Sequence, residues 1–575
     1  MQRRTVIKMR KQVIAASLCL LSITASAQDR KVWASGAARS IFQQNSIQTA
    51  NDTVTPRQVV SGHALVDLAV NAKPNDQTFL HGMIRIRNDF GGFWGGGVTF
   101  DLRQLYVKGL IKNGIRYQLG DINYKLTEYT FFSNDEELSG HQVEALNIYR
   151  DITRYDLFFN NDNTWRQQGA AVDFGFQFDS KILDELTFDL FSSRVAANFG
   201  AANDRVFLGG SSALKSKKGI WVGANYINLM DLNGTSQSNV RFHNPVVTGS
   251  MGFLDTTRTI HVGINWESGV SRMYIINDPN ASEMSDFFVD GKIQLYHPKS
   301  KIRGHFDYRN VGPQFRSVGA QSKRINYQGI NQLFGRYQSD QIARPITQMD
   351  LLQDVSLFQI DLTPQLDDYN PRYDNISPYG KATPNRKGWT VGVEGTAAKQ
   401  LIEYSLDLDA LSEVVGQGTE DLRQFRRLDA GVLVNLDTVL PKFNKPLEVS
   451  IGYQNASTTR TTEVSEGNID LTTGILDLGL KVGVARDVNL MVNLRSINAN
   501  GNELYNVRDN YSEVFDYTPL VTNLKEQLVL LAFQYKVNEK NSLSAIWQQL
   551  AWSDNKTTNQ DFDMKQFAVV YKSIF

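Results

Sequence analysis

The feature that most constrains the fold of this chain is an amphipathic strand pattern that recurs at a length suited to crossing a lipid bilayer. Ile402, Tyr404, Leu406 and Leu408 alternate with polar residues, for example. The same alternation recurs in stretches near 63–70, 260–267, 389–394, 428–436, 447–454 and 488–495. A period of two gives each strand one apolar and one polar face. The stretches run about ten to fourteen residues, whereas strands average about five or six residues and a tilted transmembrane strand needs about 9–11.

Spanning helices are not predicted. Beyond the N-terminal region the longest uninterrupted apolar run is Leu528–Phe533, six residues, and a spanning helix needs about 20. Because unpaired backbone groups are costly in lipid, membrane strands must close into a cylinder. We therefore expect an all-β fold, a transmembrane antiparallel up-and-down β-barrel of about 22 strands (range 16–22), counting a weaker stretch at 31–44 as the first strand.

The predicted connections alternate between short and long. Tight polar turns are expected at 73–76, 112–114, 216–219, 297–301, 397–400, 485–487 and 538–541, and long connections at 127–165, 232–257, 312–387 and 499–523. Bacterial barrels have short periplasmic turns and longer extracellular loops. The alternation predicts the same arrangement here, with both termini on the side of the short turns.

The N-terminus has the order of a secretory signal peptide. Basic residues precede an apolar run, and small residues end at Ala27, so we expect residues 1–27 to be removed and 28–575 to form a single barrel domain. The alternative is an amphipathic helix that stays on the protein. The only cysteine, Cys19, lies in this segment, so no disulfide is expected. Removing the segment's five basic residues from a chain with 60 basic and 60 acidic residues leaves a net charge of −5, which disfavours a nucleic-acid partner.

The C-terminus continues the strand pattern to the last residue. Phe567, Val569, Tyr571 and Phe575 fall on one face. With the signal peptide and the alternating strands, this ending resembles the bacterial outer-membrane β-barrel superfamily, in particular its large porin-like and export-type members. Ser573 departs from the apolar residue often found there. The resemblance implies a Gram-negative outer membrane with lipid and lipopolysaccharide around the barrel, and barrel-insertion machinery that reads Phe567, Tyr571 and Phe575.

If the apolar residues face lipid, charged residues on the other face line the lumen. The candidate lumen-lining residues are Arg85, Arg87, Asp101, Arg103, Arg116, Glu394, Glu403, Asp407, Asp409 and Arg427. The early strands would form a basic wall and the later strands an acidic wall, with a transverse field between them. The alternative is that these charges pair across neighbouring strands and only solvate the interior.

The long connection 312–387 holds six of the chain's fourteen prolines. Connections of this length are functional or disordered, so we expect either a plug that partly occludes the lumen or an extracellular loop. The Gly-rich stretch 91–97 would be a hairpin tip or a sugar-stacking loop.

Two functions remain open. One is a channel or transporter for small polar or charged solutes or oligosaccharides. The other is a structural subunit of an export or surface-attachment machine, which would bind outer-membrane or periplasmic proteins through its loops.

Catalysis is not expected, because no nucleotide-binding loop, nucleophile elbow or zinc-protease motif is present. The best local pair, His63 and Asp67, is separated along a strand by about 13 Å. No cofactor is predicted. Acidic and Asn-rich stretches at 133–137 and 160–163 offer oxygen ligands for Ca²⁺, although solvated loops have the same composition.

Overall fold

The computed structural model describes residues 31–575 except 50–56, 91–97, 113, 135–143, 158–161, 197–201, 322–361, 367–368, 441–444, 464, 510–513 and 557–560. The predicted signal peptide and the stretch 91–97 therefore lie outside the described residues. The described chain contains 22 strands, one α-helix and three short 3₁₀ turns. The strands are β1 (Val32–Thr49), β2 (Arg57–Asn75), β3 (Thr78–Asp89), β4 (Val98–Ile111), β5 (Ile115–Tyr124), β6 (Trp165–Gln177), β7 (Leu183–Ala196), β8 (Arg205–Ser216), β9 (Ile220–Asp231), β10 (Arg241–Asp255), β11 (His261–Ile276), β12 (Met284–His297), β13 (Ile302–Val311), β14 (Arg386–Ala397), β15 (Ile402–Ser412), β16 (Gln424–Asn435), β17 (Leu447–Arg460), β18 (Ile469–Ala485), β19 (Val488–Arg508), β20 (Val514–Asn538), β21 (Asn541–Asp554) and β22 (Phe562–Ile574). The helix is α1 (Glu144–Leu157), and the 3₁₀ turns are Ala398–Gln400, Leu436–Thr438 and Ser465–Gly467.

The sheet closes on itself. Each strand pairs antiparallel with the next along the chain, and β1 also pairs with β22, from Ala37 opposite Ile574 to Thr49 opposite Phe562. At the seam, Gly36 and Phe575 exchange two backbone hydrogen bonds of 3.0 Å. Closure removes both sheet edges, and the predicted 22-stranded up-and-down barrel is confirmed.

The two faces of the wall differ as the alternation predicts. Leu494 of β19 and Leu531 of β20 are exposed. Asn493 and Arg495, the residues on either side of Leu494, are buried. The apolar outer face and the satisfied backbone are what a bilayer requires of a spanning sheet. Among the described residues, no helix combines the length and apolar character that a membrane-spanning helix needs.

The short turns fall where the sequence predicts them, at or beside the boundaries of consecutive strands. Two predicted long connections are wrong. Strand β10 occupies most of 232–257, and β19 and β20 extend through most of 499–523. In β10, Pro245 and several small residues interrupt the apolar face, so the alternation is hard to recognise. The outer ends of β19 and β20 are rich in polar residues, and we attribute their missing alternation to a position beyond the apolar band.

Candidate functional site

The lumen is crossed by parts of two long connections. We call residues 125–134, 144–157, 312–321 and 369–385 the plug. Lys381 of the plug forms an ion pair with Asp307 of β13, and Arg372 forms one of 3.1 Å with Asp554 of β21. These strands lie eight positions apart around the wall. A segment that contacts inner side chains of such distant strands lies inside the cylinder.

The first turn of α1 is anchored to the wall through Glu144. Its carboxylate lies 3.2 Å from Lys481 of β18 and 3.8 Å from Lys536 of β20. Gln534 of β20 donates a hydrogen bond of 3.4 Å to the same carboxylate. Burial opposes ionisation of Glu144, but the two lysines outweigh it and hold its pKa below the ordinary value. An acidic residue in the first turn also suits the helix dipole.

The other end of α1 is held through Asp156. Its carboxylate accepts hydrogen bonds from Arg39 of β1 at 2.7 Å and from Arg85 of β3 at 2.8 Å. Arg103 of β4 donates to the backbone oxygen of Asp156. Burial opposes ionisation of Asp156, but Arg39 and Arg85 outweigh it and keep its pKa below the ordinary value. We call the contacts of Asp156 with Arg39 and Arg85 the latch.

Arg85 also binds the wall itself. Its guanidinium donates to both carboxylate oxygens of Asp67 on β2, at 2.7 and 2.6 Å. Arg85 therefore keeps a carboxylate partner when α1 is absent. The only ion pair that the structure shows for Arg39 within the described residues is the one with Asp156.

Helix α1 contributes four apolar side chains to a buried cluster. Ala145 and Leu146 are buried against residues of β18 to β22, and Ile148 and Ile152 are partly buried there. Fourteen residues at about 1.5 Å each give the helix a length of about 21 Å. Polar contacts tie its two ends to different parts of the wall.

The segments 125–134 and 312–321 are held in a different way. Phe131, Phe207, Phe288 and Phe315 belong to one buried aromatic and aliphatic cluster. The indole of Trp165 donates a hydrogen bond of 2.9 Å to the backbone oxygen of Gly319. A fully buried cluster of this kind contributes several kcal/mol, about 1.5–3 for each large side chain. These segments are a fixed part of the interior.

The segment 369–385 joins the fixed part of the plug to the later strands. Tyr373 donates a hydrogen bond of 3.0 Å to Glu526 of β20, and Asn375 donates one of 2.5 Å to Glu503 of β19. Burial would lower the pKa of Lys381, but Glu128, Asp290 and Asp307 outweigh it and raise this pKa. The ammonium of Lys381 is thus held charged between plug and wall.

Within the part of the chain that the structure describes, Arg85 and Arg103 are the two of the ten candidate lumen residues with a contact to α1. The other basic candidates of the early strands lie beside carboxylates near them in the wall. Arg87 lies 2.9 Å from Asp89, and Arg116 lies 2.5 Å from Asp173. Asp101 stands opposite Arg85 in the register of β3 and β4.

The other four acidic candidates lie on β14 and β15. Glu394 lies 2.7 Å from Arg303, and Asp409 lies 2.7 Å from Arg427. The remaining two contacts are Asp407 with His305 at 3.4 Å and Glu403 with Asn435 at 3.3 Å. The described contacts of the candidates therefore lie mostly across neighbouring strands.

Sequence reasoning missed the residues that hold α1, namely Glu144, Asp156, Arg39 and Lys481. A signal for the helix was present, because the stretch 144–157 places Ala145, Ile148, Ile152 and Tyr155 at helical spacing inside a long connection. The predicted strand period directed attention away from it. The partners on the wall could not be paired with the helix without the barrel register.

On the last strand, Phe567 and Tyr571 are exposed on the outer face, and Phe575 is exposed at the seam. Gln566 and Ala568, the residues on either side of Phe567, are buried. The 22 strands form the closed wall, their exposed apolar side chains form the outer face, and the plug occupies the lumen. The chain is a closed 22-stranded up-and-down β-barrel with an apolar outer face.

No family model and no curated protein matches the chain. Solved structures with similarity to it include the P pilus usher (PapC) translocation pore, with 7% identity, 93% of this chain and 99% of that chain covered, and a TM-score of 0.34. The outer membrane protein opdK from Pseudomonas aeruginosa has 8% identity and a TM-score of 0.35, and the match covers 94% of this chain and 99% of that chain. The outer membrane channel DcaP of Acinetobacter baumannii has 8% identity, covers 95% and 97%, and has a TM-score of 0.27.

The other predicted sites are only partly described. Most of 133–137 and part of 160–163 lie outside the described residues, and no group of three or more potential metal-ligating side chains occurs among the residues that the structure does describe. His63 lies 3.5 Å from a guanidinium nitrogen of Arg39. Asp67 is bound to Arg85, so the described contacts of His63 and Asp67 go to different arginines.

Proposed function

We propose that this protein is an outer-membrane channel for small polar or charged solutes, including oligosaccharides, and that α1 closes it. The observation that carries the proposal is the difference between the two kinds of plug contact. The segments 125–134 and 312–321 contribute large aromatic side chains to one buried cluster, whereas α1 contributes only Ala145, Leu146 and the partly buried Ile148 and Ile152 to another and is tied to the wall by charged contacts at its two ends.

Charged contacts suit a gate in a water-filled lumen. When α1 leaves, water and ions replace the partners of Glu144 and Asp156, and Arg85 retains Asp67. The loss for each exposed charge pair is therefore about 1 kcal/mol or less and for each buried pair a few kcal/mol. Undocking also exposes Leu146, at about 1.5–3 kcal/mol for a fully buried side chain, and the partly buried Ile148 and Ile152 at less. The charged and the apolar losses together set the barrier to opening. Moving the aromatic cluster would expose many large side chains and is far more costly.

The experiment compares the purified wild-type barrel with a variant lacking 144–157 in planar lipid bilayers. We expect low conductance for the wild type and a large, steady conductance for the deletion. A second variant carries Glu144→Cys and Lys481→Cys, joined by a short cross-linker that contains a reducible disulfide. Its conductance should be near zero until the linker is reduced.

The control is each single-cysteine variant after the same treatment, for which reduction should change nothing. A barrel that stays sealed after deletion of 144–157 would contradict a channel closed by α1. Recovery of that sealed barrel in constant complex with other proteins would instead favour a loop-based assembly role.

A further inference from the structure

Four aromatic rings form a row on the inner face of the first strands. Trp33 of β1 lies 5.8 Å from Phe79 of β3, measured between ring centroids. Phe79 lies 6.1 Å from Tyr106 of β4, and His81 is stacked on Tyr106 at 4.8 Å. We call Trp33, Phe79, His81 and Tyr106 the aromatic ledge.

The position of the ledge follows from strand parity. Phe79 and His81 stand six and four residues before Arg85 on β3, so they share the inner face with it. Leu80 between them is exposed on the outer face. Trp33 and Phe79 are each the second residue of their strand, at the end of the short turns. The ledge therefore lies at the mouth of the barrel on the periplasmic side of the latch.

Two lysines flank the ledge. Lys73 of β2 lies 5.9 Å from the ring centroid of Trp33, and Lys108 of β4 lies 5.2 Å from that of Phe79. Both lysines are exposed. Neither has an ion pair with a carboxylate among the residues that the structure describes. Their cationic heads are available to a ligand.

A cavity of about 540 Å³ adjoins the ledge at Phe79 and is also lined by Lys73, Lys108 and Gln118. Two carboxylates line it as well, namely Asp173, which is paired with Arg116, and Asp76. This volume lies within the range of about 300–1,000 Å³ typical of small-molecule sites. The four rings of the ledge are only partly buried, and aromatic surface left facing an aqueous lumen is unfavourable unless a ligand covers it.

We propose that the aromatic ledge binds an acidic oligosaccharide, with pyranose rings stacked on the aromatic faces and carboxylates paired with Lys73 and Lys108. Flat ring faces bind the C–H surface of a sugar, and the half-buried amide of Gln118 offers hydrogen bonds to hydroxyls. Lysine gives the preference for an acidic over a neutral sugar through a charge-assisted contact. The proposal names a substrate class for the proposed channel and so rests on that function for its biological use.

Binding itself is tested without transport. The probe is trigalacturonic acid, titrated into the wild-type barrel in detergent while the tryptophan fluorescence is followed, with calorimetry as a second readout. Maltotriose is the neutral comparison. We expect saturable binding of the acidic trisaccharide, weaker by about 2- to 13-fold for Phe79→Ala, since one ring contact contributes about 0.5–1.5 kcal/mol.

The double variant Lys73→Gln/Lys108→Gln should lose about tenfold in affinity for the acidic sugar and leave that for maltotriose unchanged. It should also abolish most of the salt dependence of binding. Because both lysine side chains are exposed, this variant tests the proposal even where Phe79→Ala lowers folding yield. The matched control is Leu80→Ala, on the same strand but the opposite face, which should bind as the wild type does.

The proposal would be overturned if trigalacturonic acid showed no saturable binding to the wild type, or if the wild type bound trigalacturonic acid and maltotriose with equal affinity. It would also be overturned if the double lysine variant bound trigalacturonic acid as tightly as the wild type does. Binding to the ledge with a barrel that never conducts would leave the ledge site standing and remove the channel. Conductance without binding would do the reverse.

Discussion

Replacing Asp156 by asparagine should open the barrel, because Asp156 holds one end of α1. The variant removes the charge that Arg39 and Arg85 share, at 2.7 and 2.8 Å. Breaking a buried pair by removing one partner costs about 3–5 kcal/mol when the remaining charge stays buried. Here Arg85 keeps Asp67, and Arg39 gains water once α1 leaves. We therefore expect the closed state to lose about 2–3 kcal/mol, which shifts the closed-to-open ratio by about 30- to 150-fold.

The measurement is the fraction of time that single barrels conduct in planar bilayers at neutral pH. The matched control is Glu283→Gln, which removes an exposed carboxylate 2.6 Å from Arg272. An exposed pair contributes about 0–1 kcal/mol, and this one contacts no described part of α1. Equal open fractions for wild type and Asp156→Asn would refute the latch, as would an equal rise in the control.

Acid should open the barrel through the same residues. The pKa of Asp156 and that of Glu144 are both held below their ordinary values in the docked helix. Each carboxylate therefore stabilises docking fully above its ordinary pKa, about 3.9 for Asp and 4.3 for Glu, and this stabilisation is lost as the pH falls from there through the lowered pKa. The open fraction should be constant from pH 8 to about 5 and should rise below about pH 4. In Asp156→Asn the rise should be smaller, and a transition centred near pH 6 to 7 would contradict this assignment.

Four further changes test the wall. Deletion of Phe575 should lower the yield of inserted barrel. Gly36→Val should do the same, because a Cβ at Gly36 would lie 2.1 Å from a backbone oxygen and 2.8 Å from the Phe575 ring. The heat-modifiable band on gels measures the yield of both variants, and normal yields would argue against seam closure at these residues. Asp477→Ala leaves Arg495 buried without the carboxylate that it binds at 2.6 and 2.8 Å, so the folded band should melt at a lower temperature, by an amount equivalent to about 3–5 kcal/mol. Leu494→Arg on the outer face should cost about 2–4 kcal/mol if that position lies near the bilayer centre, and folding into vesicles at wild-type stability would place it elsewhere.

The barrel could be predicted because its physics is local and repeated. A lipid-facing strand needs an apolar residue at every second position. This alternation can be recognised in strands such as Leu447–Arg460 without knowing which strands lie beside them. Prediction failed where the alternation weakens. Strand β10 carries Pro245 and several small residues, and the outer ends of β19 and β20 are polar.

The candidate site was harder to predict because its contacts are distant in sequence. Asp156 meets Arg39 across 117 residues, and Gln534 meets Glu144 across 390. No local pattern encodes such a pair. Each requires the number of strands, their register and the path of a long connection to be known first. The inner charges of the wall were found as residue types, but their partners depend on which strand lies beside which.

For the proposed channel, the same ion pairs bear on how the lumen would discriminate between solutes. The two walls expected from the sequence stand on β3 to β5 and on β14 to β16, and β3 and β14 are eleven strands apart, half of the circumference. Yet Arg116 lies beside Asp173, Glu394 beside Arg303, and Asp409 beside Arg427. A paired charge acts at a distance as a dipole, and its field falls off faster than that of a single charge and is further screened within about 10 Å in salt. A transverse field from opposed walls is therefore weak in the centre of the lumen. Charge selection then depends on cations outside the described ion pairs, and Lys73 and Lys108 stand at the mouth where a solute meets the wall at contact distance.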